Sequence, residues 1–216
     1  MTTPKLVIFD CDGILVDTER PANEFMASVL TERGFPVTYE ECRRRFVGRS
    51  LVSVQQEIEA TGITIGNFVD DIYAELPRIL DGVQAIPHVE TFIQTVEAAG
   101  IPFCVASSGK PEKMQMTLGG TGLLPYFEHA MFSATMVERG KPFPDLFLHA
   151  ARQMGFAPAD CIVVEDTVAG VTAGVAAGMR VYAYHGDPYS DRDGMAAAGG
   201  ILFDDMRALS GLIPIA

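Results

Sequence analysis

The sequence predicts an α/β protein in which a parallel sheet flanked by helices is interrupted, after its first strand, by a small helical bundle. Three observations carry this. The apolar run Leu6-Val7-Ile8-Phe9 closes on Asp10-Cys11-Asp12-Gly13, which reads as a buried strand opening into a tight loop. Residues 19 to 80 carry helical periodicity and no strand pattern. From Ala85-Ile86-Pro87 onward helices and strands alternate, the order that builds a parallel sheet.

Each element has its own signal. Arg20 to Arg33 repeats Phe25, Val29 and Leu30 at helical spacing and stops at Gly34. Thr38-Tyr39-Glu40-Glu41 resembles a helix start with a threonine cap. A third helix fits Leu51 to Ala60, ending at Thr61-Gly62, and a fourth runs from Gly66 towards Leu80. In the second part, a helix from Val89 to Ala99 ends at Gly100, and a strand from Ile101 to Ala106 arrives at Ser107-Ser108-Gly109. A helix around Glu112 to Leu118 precedes a short strand near Ala130-Met131-Phe132, and Pro144 to Met154 is helical up to Gly155. Cys161 to Val164 is a strand ending in Glu165-Asp166; Val168 to Ala177 is a small-residue helix expected to pack closely on the sheet. Arg180 to Tyr184 and Gly200 to Phe203 are the last strands.

With 216 residues and 48% apolar composition, the chain can bury one substantial core plus a smaller insertion. A net charge of -12 without a basic tail argues against a nucleic-acid partner. The cluster Arg43-Arg44-Arg45 with Arg49 is the local exception, read first as a solvated helix face and second as an attractor for an anionic substrate. No stretch of about 18 apolar residues occurs and the N-terminus runs at once into a strand, so no membrane partner and a cytoplasmic location are expected. Cys11, Cys42, Cys104 and Cys161 show neither a zinc nor a disulfide spacing and read as small buried thiols; the four histidines are dispersed.

Polar groups recur where predicted strands end. Asp10 and Asp12 follow the first strand, Ser107 follows the second, and Glu165-Asp166 follows Cys161 to Val164, while Lys141 precedes Pro142-Phe143-Pro144. In an open parallel sheet that rim is where ligands bind. Taken singly, such a serine is usually a turn former, such a lysine a surface residue, and such an acidic pair a helix start. Together, Asp-x-Asp-Gly-x-x-x-Asp-Thr, then Ser107, then Lys141-Pro142, then Glu165-Asp166 resembles the four-part signature of the haloacid dehalogenase superfamily, over almost the whole chain.

The resemblance implies a Rossmann-like core over residues 1–17 and 86–216 and a four-helix cap over residues 18–85. Four acids, Asp10, Asp12, Glu165 and Asp166, gathered with one lysine would admit an anionic phosphate only with a metal, and oxygen-only ligands select a hard ion, Mg2+. Asp10 is then the nucleophile that forms an aspartyl-phosphate. The resemblance makes Asp12 the acid and later the base, with its main-chain carbonyl on the metal, and Lys141 the neutralising charge. Ser107, with backbone groups around Gly13, Ser108 and Gly109, is expected to hold phosphate. Asp166 holds the metal, and Glu165 joins it or orients its water.

Asp12 argues against the dehalogenase branch, where halide leaves without a proton. Residues 18–85 contain no lysine, which argues against phosphonate cleavage through a cap Schiff base. The expected activity is a phosphatase acting on a small phosphorylated metabolite, of the sugar or sugar-acid phosphate kind, as a monomer by default. A hexose-phosphate mutase of the β-phosphoglucomutase branch is the alternative; the positions where that branch carries histidine and a loop arginine correspond to Ala22 and Leu51, with Arg49 nearby. A silent phosphate-binding regulator is the reading from another class. Ser107-Ser108-Gly109, Lys113-Met114-Gln115 and Tyr184-His185-Gly186-Asp187-Pro188 resemble the 6-phosphogluconate phosphatase type. Substrate choice is expected at Gly48-Arg49-Ser50, with Arg45, Lys110 or His185 as further candidates at the entrance; each also reads as an ordinary solvated residue.

Overall fold

The computed structural model describes residues 3–46 and 51–215. The chain divides into two compact units, Met1–Asp17 with Gln84–Ala216, and Thr18–Val83. The edge falls at Gln84 because the Asp17 amide donates to the Gln84 carbonyl at 2.9 Å and Ala85 bridges to Val16, tying the returning chain to the departing one.

The first unit is built on a parallel sheet of β1 (Leu6–Phe9), β2 (Phe103–Ser107), β3 (Met131–Ser133), β4 (Cys161–Glu165), β5 (Arg180–Tyr184) and β6 (Ile201–Phe203). Its order is β3-β2-β1-β4-β5-β6, so β1 and β4 lie side by side in the middle where the winding reverses. Both faces are covered. Val7, Phe9, Val105, Ile162 and Val164 point into one core; Leu6, Ile8, Cys104, Ala106 and Val163 point into the other. That is why β1 reads as a continuous apolar run rather than an alternating one. Each of its four residues is fully buried, worth about 1.5–3 kcal/mol per large side chain.

The second unit holds α1 (Glu19–Glu32), α2 (Tyr39–Phe46), α3 (Leu51–Glu59) and α4 (Phe68–Ile79), packed around Leu30, Phe46, Ile58 and Phe68. The α2 start is a reciprocal cap: Glu41 N–H donates to Thr38 Oγ1 at 3.2 Å, and Thr38 N–H donates to Glu41 Oε2 at 2.8 Å. Arg43 departs from the expected solvated face. It shares the buried side of α2 with Cys42 and Phe46, leaving its side chain 4% exposed, and its charge is met by Glu19 Oε2 at 2.6 Å. Arg44 and Arg45 are exposed as expected. The loop Gly48-Arg49-Ser50 lies outside the described residues.

One face of the sheet packs α5 (Val89–Ala98), α6 (Pro111–Gly120) and α7 (Leu124–Phe127) through Phe92, Ile93, Met114, Leu118 and Phe127. The other packs α8 (Asp145–Met154), α9 (Val168–Ala176) and α10 (Arg192–Ala197) through Leu146, Phe147, Val171, Ala173 and Met195. A last turn, α11 (Leu209–Leu212), returns Leu209 to the first core. The close packing expected of α9 is visible at Gly174, where a Cβ would stand 2.6 Å from Val181 Cγ2. All four cysteines are buried and free. No helix among the described residues is long and apolar enough to cross a membrane.

Candidate active site

Two central strands end together. Phe9 of β1 is in register with Val164 of β4, and the next residue, Asp10, donates its amide to the Val164 carbonyl at 2.9 Å. Asp10 and Glu165 therefore leave neighbouring strands at one level, at the reversal point of the winding. Both are nearly dry, with Asp10 7% exposed and Glu165 0%.

Carboxylates this deep need a partner, and the loop before α8 supplies one. Lys141 Nζ lies 2.8 Å from Asp10 Oδ1 and 2.7 Å from Glu165 Oε1, its side chain 5% exposed and its ammonium 5.1 Å from the centre of the Phe147 ring. One ammonium thus serves two carboxylates. Burial would lower the lysine, but Asp10 and Glu165 overcome it and hold the ammonium well above its ordinary range. Asp10 is the group that gives way: burial pushes its carboxyl up to about 7, Lys141 pulling it back and Glu165 adding to the rise.

The two oxygens of Glu165 are heavily committed. Oε1 accepts from Lys141, and Oε2 accepts from the Asp166 and Thr167 amides, each at 2.7 Å, and from Thr167 Oγ1 at 2.9 Å. Thr167 in turn caps α9 by accepting from Gly170 N–H at 3.0 Å. Gly170 makes this possible, because a Cβ there would stand 1.8 Å from Glu165 Oε1. Glu165 therefore locks the lysine, the Asp166 loop and the start of α9 to one another.

Asp10, Glu165 and Asp166 offer oxygens that all lie within 4.8 Å of one another. Three carboxylates against one ammonium leave a negative excess, and a donor set of oxygens with neither imidazole nor thiolate fits a hard divalent cation. Asp10 and Asp166 are the members best placed to hold it, since Glu165 already accepts four hydrogen bonds.

Asp12 stands apart from this group. Its Oδ1 meets Lys113 Nζ, from the first turn of α6, at 2.9 Å. The loop around it is tight: Gly13 N–H donates to the Val16 carbonyl at 2.8 Å with φ at +80°, and a Cβ on Gly13 would stand 1.9 Å from Asp166 Oδ2. Glycine is thus required twice, by the left-handed backbone and by the close approach of Asp166.

Ser107, 1% exposed at the end of β2, accepts from Gly109 N–H at 3.0 Å, which leaves its own hydroxyl proton for another acceptor. Gly109 is held from the opposite side, its carbonyl accepting from Ser133 Oγ at 2.7 Å. Ser108 is exposed. The Gly13 and Gly109 amides thus meet acceptors of the protein itself, and these glycines shape their loops.

The structure brings Asp10, Lys141, Glu165 and Asp166 together around one point and packs Gly13 against them. Ser107 and Gly109 form a neighbouring corner on which Asp12 and Lys113 converge, the Gly109 Cβ position lying 3.3 Å from Ser107 Oγ, 3.5 Å from Lys113 Cδ and 3.7 Å from Asp12 Oδ2. Arg49 lies outside the described residues. Two participants, Ser133 and Thr167, carry no expectation from the sequence, and Lys113 is expected only as part of the Lys113-Met114-Gln115 resemblance, with no role attached. Thr167 had a local signal, as a threonine three residues before a glycine at a helix start. Ser133 and the pairing of Lys113 with Asp12 had none, because the partners are distant in sequence.

The family model for haloacid dehalogenase-like hydrolases matches residues 4–178. A 6-phosphogluconate phosphatase of Escherichia coli (strain K12) is 34% identical over 194 residues, covering 88% of this chain and 86% of that protein. Hexitol phosphatase A of the same organism is 32% identical over 183 residues, covering 82% and 81%. The crystal structure of a HAD family hydrolase from Deinococcus radiodurans R1 with bound phosphate and sodium superposes with a TM-score of 0.85 at 28% identity, covering 100% of both chains. With its strand order, its cluster of acids at the tips of β1 and β4 and a family match over most of its length, the chain belongs to the haloacid dehalogenase-like hydrolases.

Proposed function

We propose that this chain, a phosphoric monoester hydrolase, removes phosphate from a small phosphorylated metabolite of the sugar or sugar-acid phosphate kind, using Asp10 as nucleophile and Mg2+ as cofactor. The observation that carries the reading is Asp10 itself, a carboxylate at a strand tip, 2.8 Å from a buried lysine and within 4.8 Å of two further acids. The relatives named for 6-phosphogluconate and hexitol phosphates support the substrate class, and the phosphate bound in the Deinococcus relative supports the ligand chemistry.

In this mechanism an Asp10 oxygen attacks phosphorus and the bond to the metabolite oxygen breaks, giving an aspartyl-phosphate. Asp12 hands its proton to the departing oxygen, then takes one from the water that attacks the aspartyl-phosphate and releases inorganic phosphate. Lys141 stays charged throughout and neutralises the phosphoryl oxygens beside Asp10. Ser107 donates its hydroxyl to the phosphoryl group. Asp10, Asp166 and the main-chain carbonyl of Asp12 would hold the cation, which supplies charge neutralisation that lets a phosphate dianion approach an acidic site. Glu165 acts from behind, as the anchor of Lys141 and of the Asp166 loop. The helical unit Thr18–Val83 is the proposed cap, with Arg49 among its discriminating residues.

A screen of phosphorylated metabolites with Mg2+, read as inorganic phosphate, tests this. Release is expected with sugar and sugar-acid phosphates and is expected to vanish in Asp10→Asn. Turnover that survives in Asp10→Asn, or that ignores chelation, overturns the reading. Interconversion of glucose 1- and 6-phosphates faster than phosphate release points to the mutase instead.

A further inference from the structure

Lys113 is not one of the four signature positions, yet its ammonium sits 2.9 Å from Asp12 Oδ1. A lysine in the first turn of a helix is electrostatically misplaced, since that end already carries partial positive charge. A carboxylate close by offsets this, and Asp12 provides it. The side chains are 29% and 22% exposed, so the pair is better shielded than open surface pairs such as Arg20–Glu24, at 71% and 51%.

The pair is also built into the packing. Thr117, one turn further along the same face of α6, is buried with its Oγ1 4.0 Å from Cys11 Sγ, and Met114 and Leu118 lie in the core beneath. The helix is thus seated on the residue preceding Asp12, which sets where Lys113 projects. Gly109 completes the arrangement, its Cβ position lying between the Lys113 stem and Asp12 Oδ2. A Cβ at Gly109 would meet both at ordinary contact distance, its one tight contact being 3.3 Å to Ser107 Oγ.

We infer that Lys113 is a positioning residue for the proton-transfer step, holding Asp12 by Oδ1 so that Oδ2 is presented on the Ser107–Gly109 side to the leaving oxygen. The inference rests on the proposed role of Asp12. Its chemical consequence is specific. An alkyl phosphate leaves as an alkoxide and needs the proton that Asp12 delivers, whereas 4-nitrophenyl phosphate leaves as a stable phenolate and needs it little. In kcat/KM, which ends at aspartyl-phosphate formation and so leaves out the later step in which Asp12 takes a proton from water, a residue that acts only through Asp12 matters for the first substrate and hardly for the second.

The experiment compares kcat/KM for 6-phosphogluconate and 4-nitrophenyl phosphate in the parent, Lys113→Met, Lys113→Arg, Asp12→Asn and Asp12→Asn/Lys113→Met proteins. Lys113→Met is expected to lose about 10- to 100-fold on the alkyl phosphate and less than about 3-fold on the aryl phosphate. Lys113→Arg, which keeps the charge, is expected to recover at least part of the loss and serves as the readout should the methionine variant fold poorly. In the Asp12→Asn background, adding Lys113→Met is expected to change nothing further. Equal losses on both substrates, a further loss in the Asp12→Asn background or no loss at all overturns the inference. A parent protein that hydrolyses neither phosphate, or an Asp10→Asn protein as active as the parent, defeats the phosphatase reading itself and is told apart from these outcomes by those two controls.

Discussion

Glu165→Gln isolates what the central ion-pair network contributes. The side chain is fully buried and accepts four hydrogen bonds, one from Lys141 on Oε1 and three on Oε2. A glutamine has one acceptor oxygen and one donor NH2. Turned one way, it sets its NH2 against the Asp166 amide, the Thr167 amide and the Thr167 hydroxyl. Turned the other way, it sets it against the ammonium of Lys141. The second orientation costs less, losing one charge-assisted hydrogen bond of about 1.5–3 kcal/mol and leaving a buried ammonium with Asp10 as its remaining carboxylate here. Breaking a buried ion pair by removing one partner costs about 3–5 kcal/mol, and we expect a loss in that range. At about 2–4 °C per kcal/mol for a chain of this size, thermal unfolding without added metal should move down by about 6–20 °C. Urea titration of the same proteins gives an independent midpoint. A variant within about 1 kcal/mol of the parent would refute the anchoring role. Calorimetric titration with Mg2+ adds a second readout, since affinity should fall further in Asp166→Asn than in Glu165→Gln if Glu165 stands behind the cation.

Gly13→Ala places a methyl 1.9 Å from Asp166 Oδ2 at a φ of +80°, where a side chain alone costs about 1–2 kcal/mol, so Asp166 must move. Mg2+ affinity is expected to fall at least about tenfold, a metal-oriented loss of the scale seen when supporting contacts are removed; an unchanged titration would refute it. The raised Asp10 pKa, about 7 without metal, predicts that Mg2+ binding releases a proton below neutrality. Affinity should weaken by about tenfold per pH unit below 7 and level off above it, and affinity that is flat with pH would refute this. The same shift has a stability consequence of definite sign. Between the ordinary carboxylate value and about 7 the folded state binds more protons than the unfolded one, so Asp10's contribution is present at low pH and is lost as pH rises through 7. Asp10→Asn is therefore expected to unfold at a higher temperature than the parent at pH 8 in chelator, and a lower midpoint would count against the assignment.

Much of the site was legible because it is written locally. Asp10-Cys11-Asp12-Gly13 and Glu165-Asp166 each follow an apolar run short enough to be a strand, and a charge at such a run's end marks a strand tip. The short elements were not legible: α7 and α10 span too few residues for a helical period to show, and α11 is a single turn. Arg43 was misread because charge suggested solvent, while its place on the face of Cys42 and Phe46 and the presence of Glu19 put it inside.

By itself the sequence determined that this is a two-part α/β chain with acids and a serine at strand ends and a lysine ahead of Pro142, because periodicity and turn chemistry act over a few residues. Only the tertiary structure decided how those groups divide the work. That Glu165 faces Lys141 and the Thr167 loop, that Asp12 is met by Lys113 and that Gly13 yields space to Asp166 are contacts across 24, 101 and 153 positions of chain. Strand pairing and helix packing create such proximity, and no local pattern encodes it.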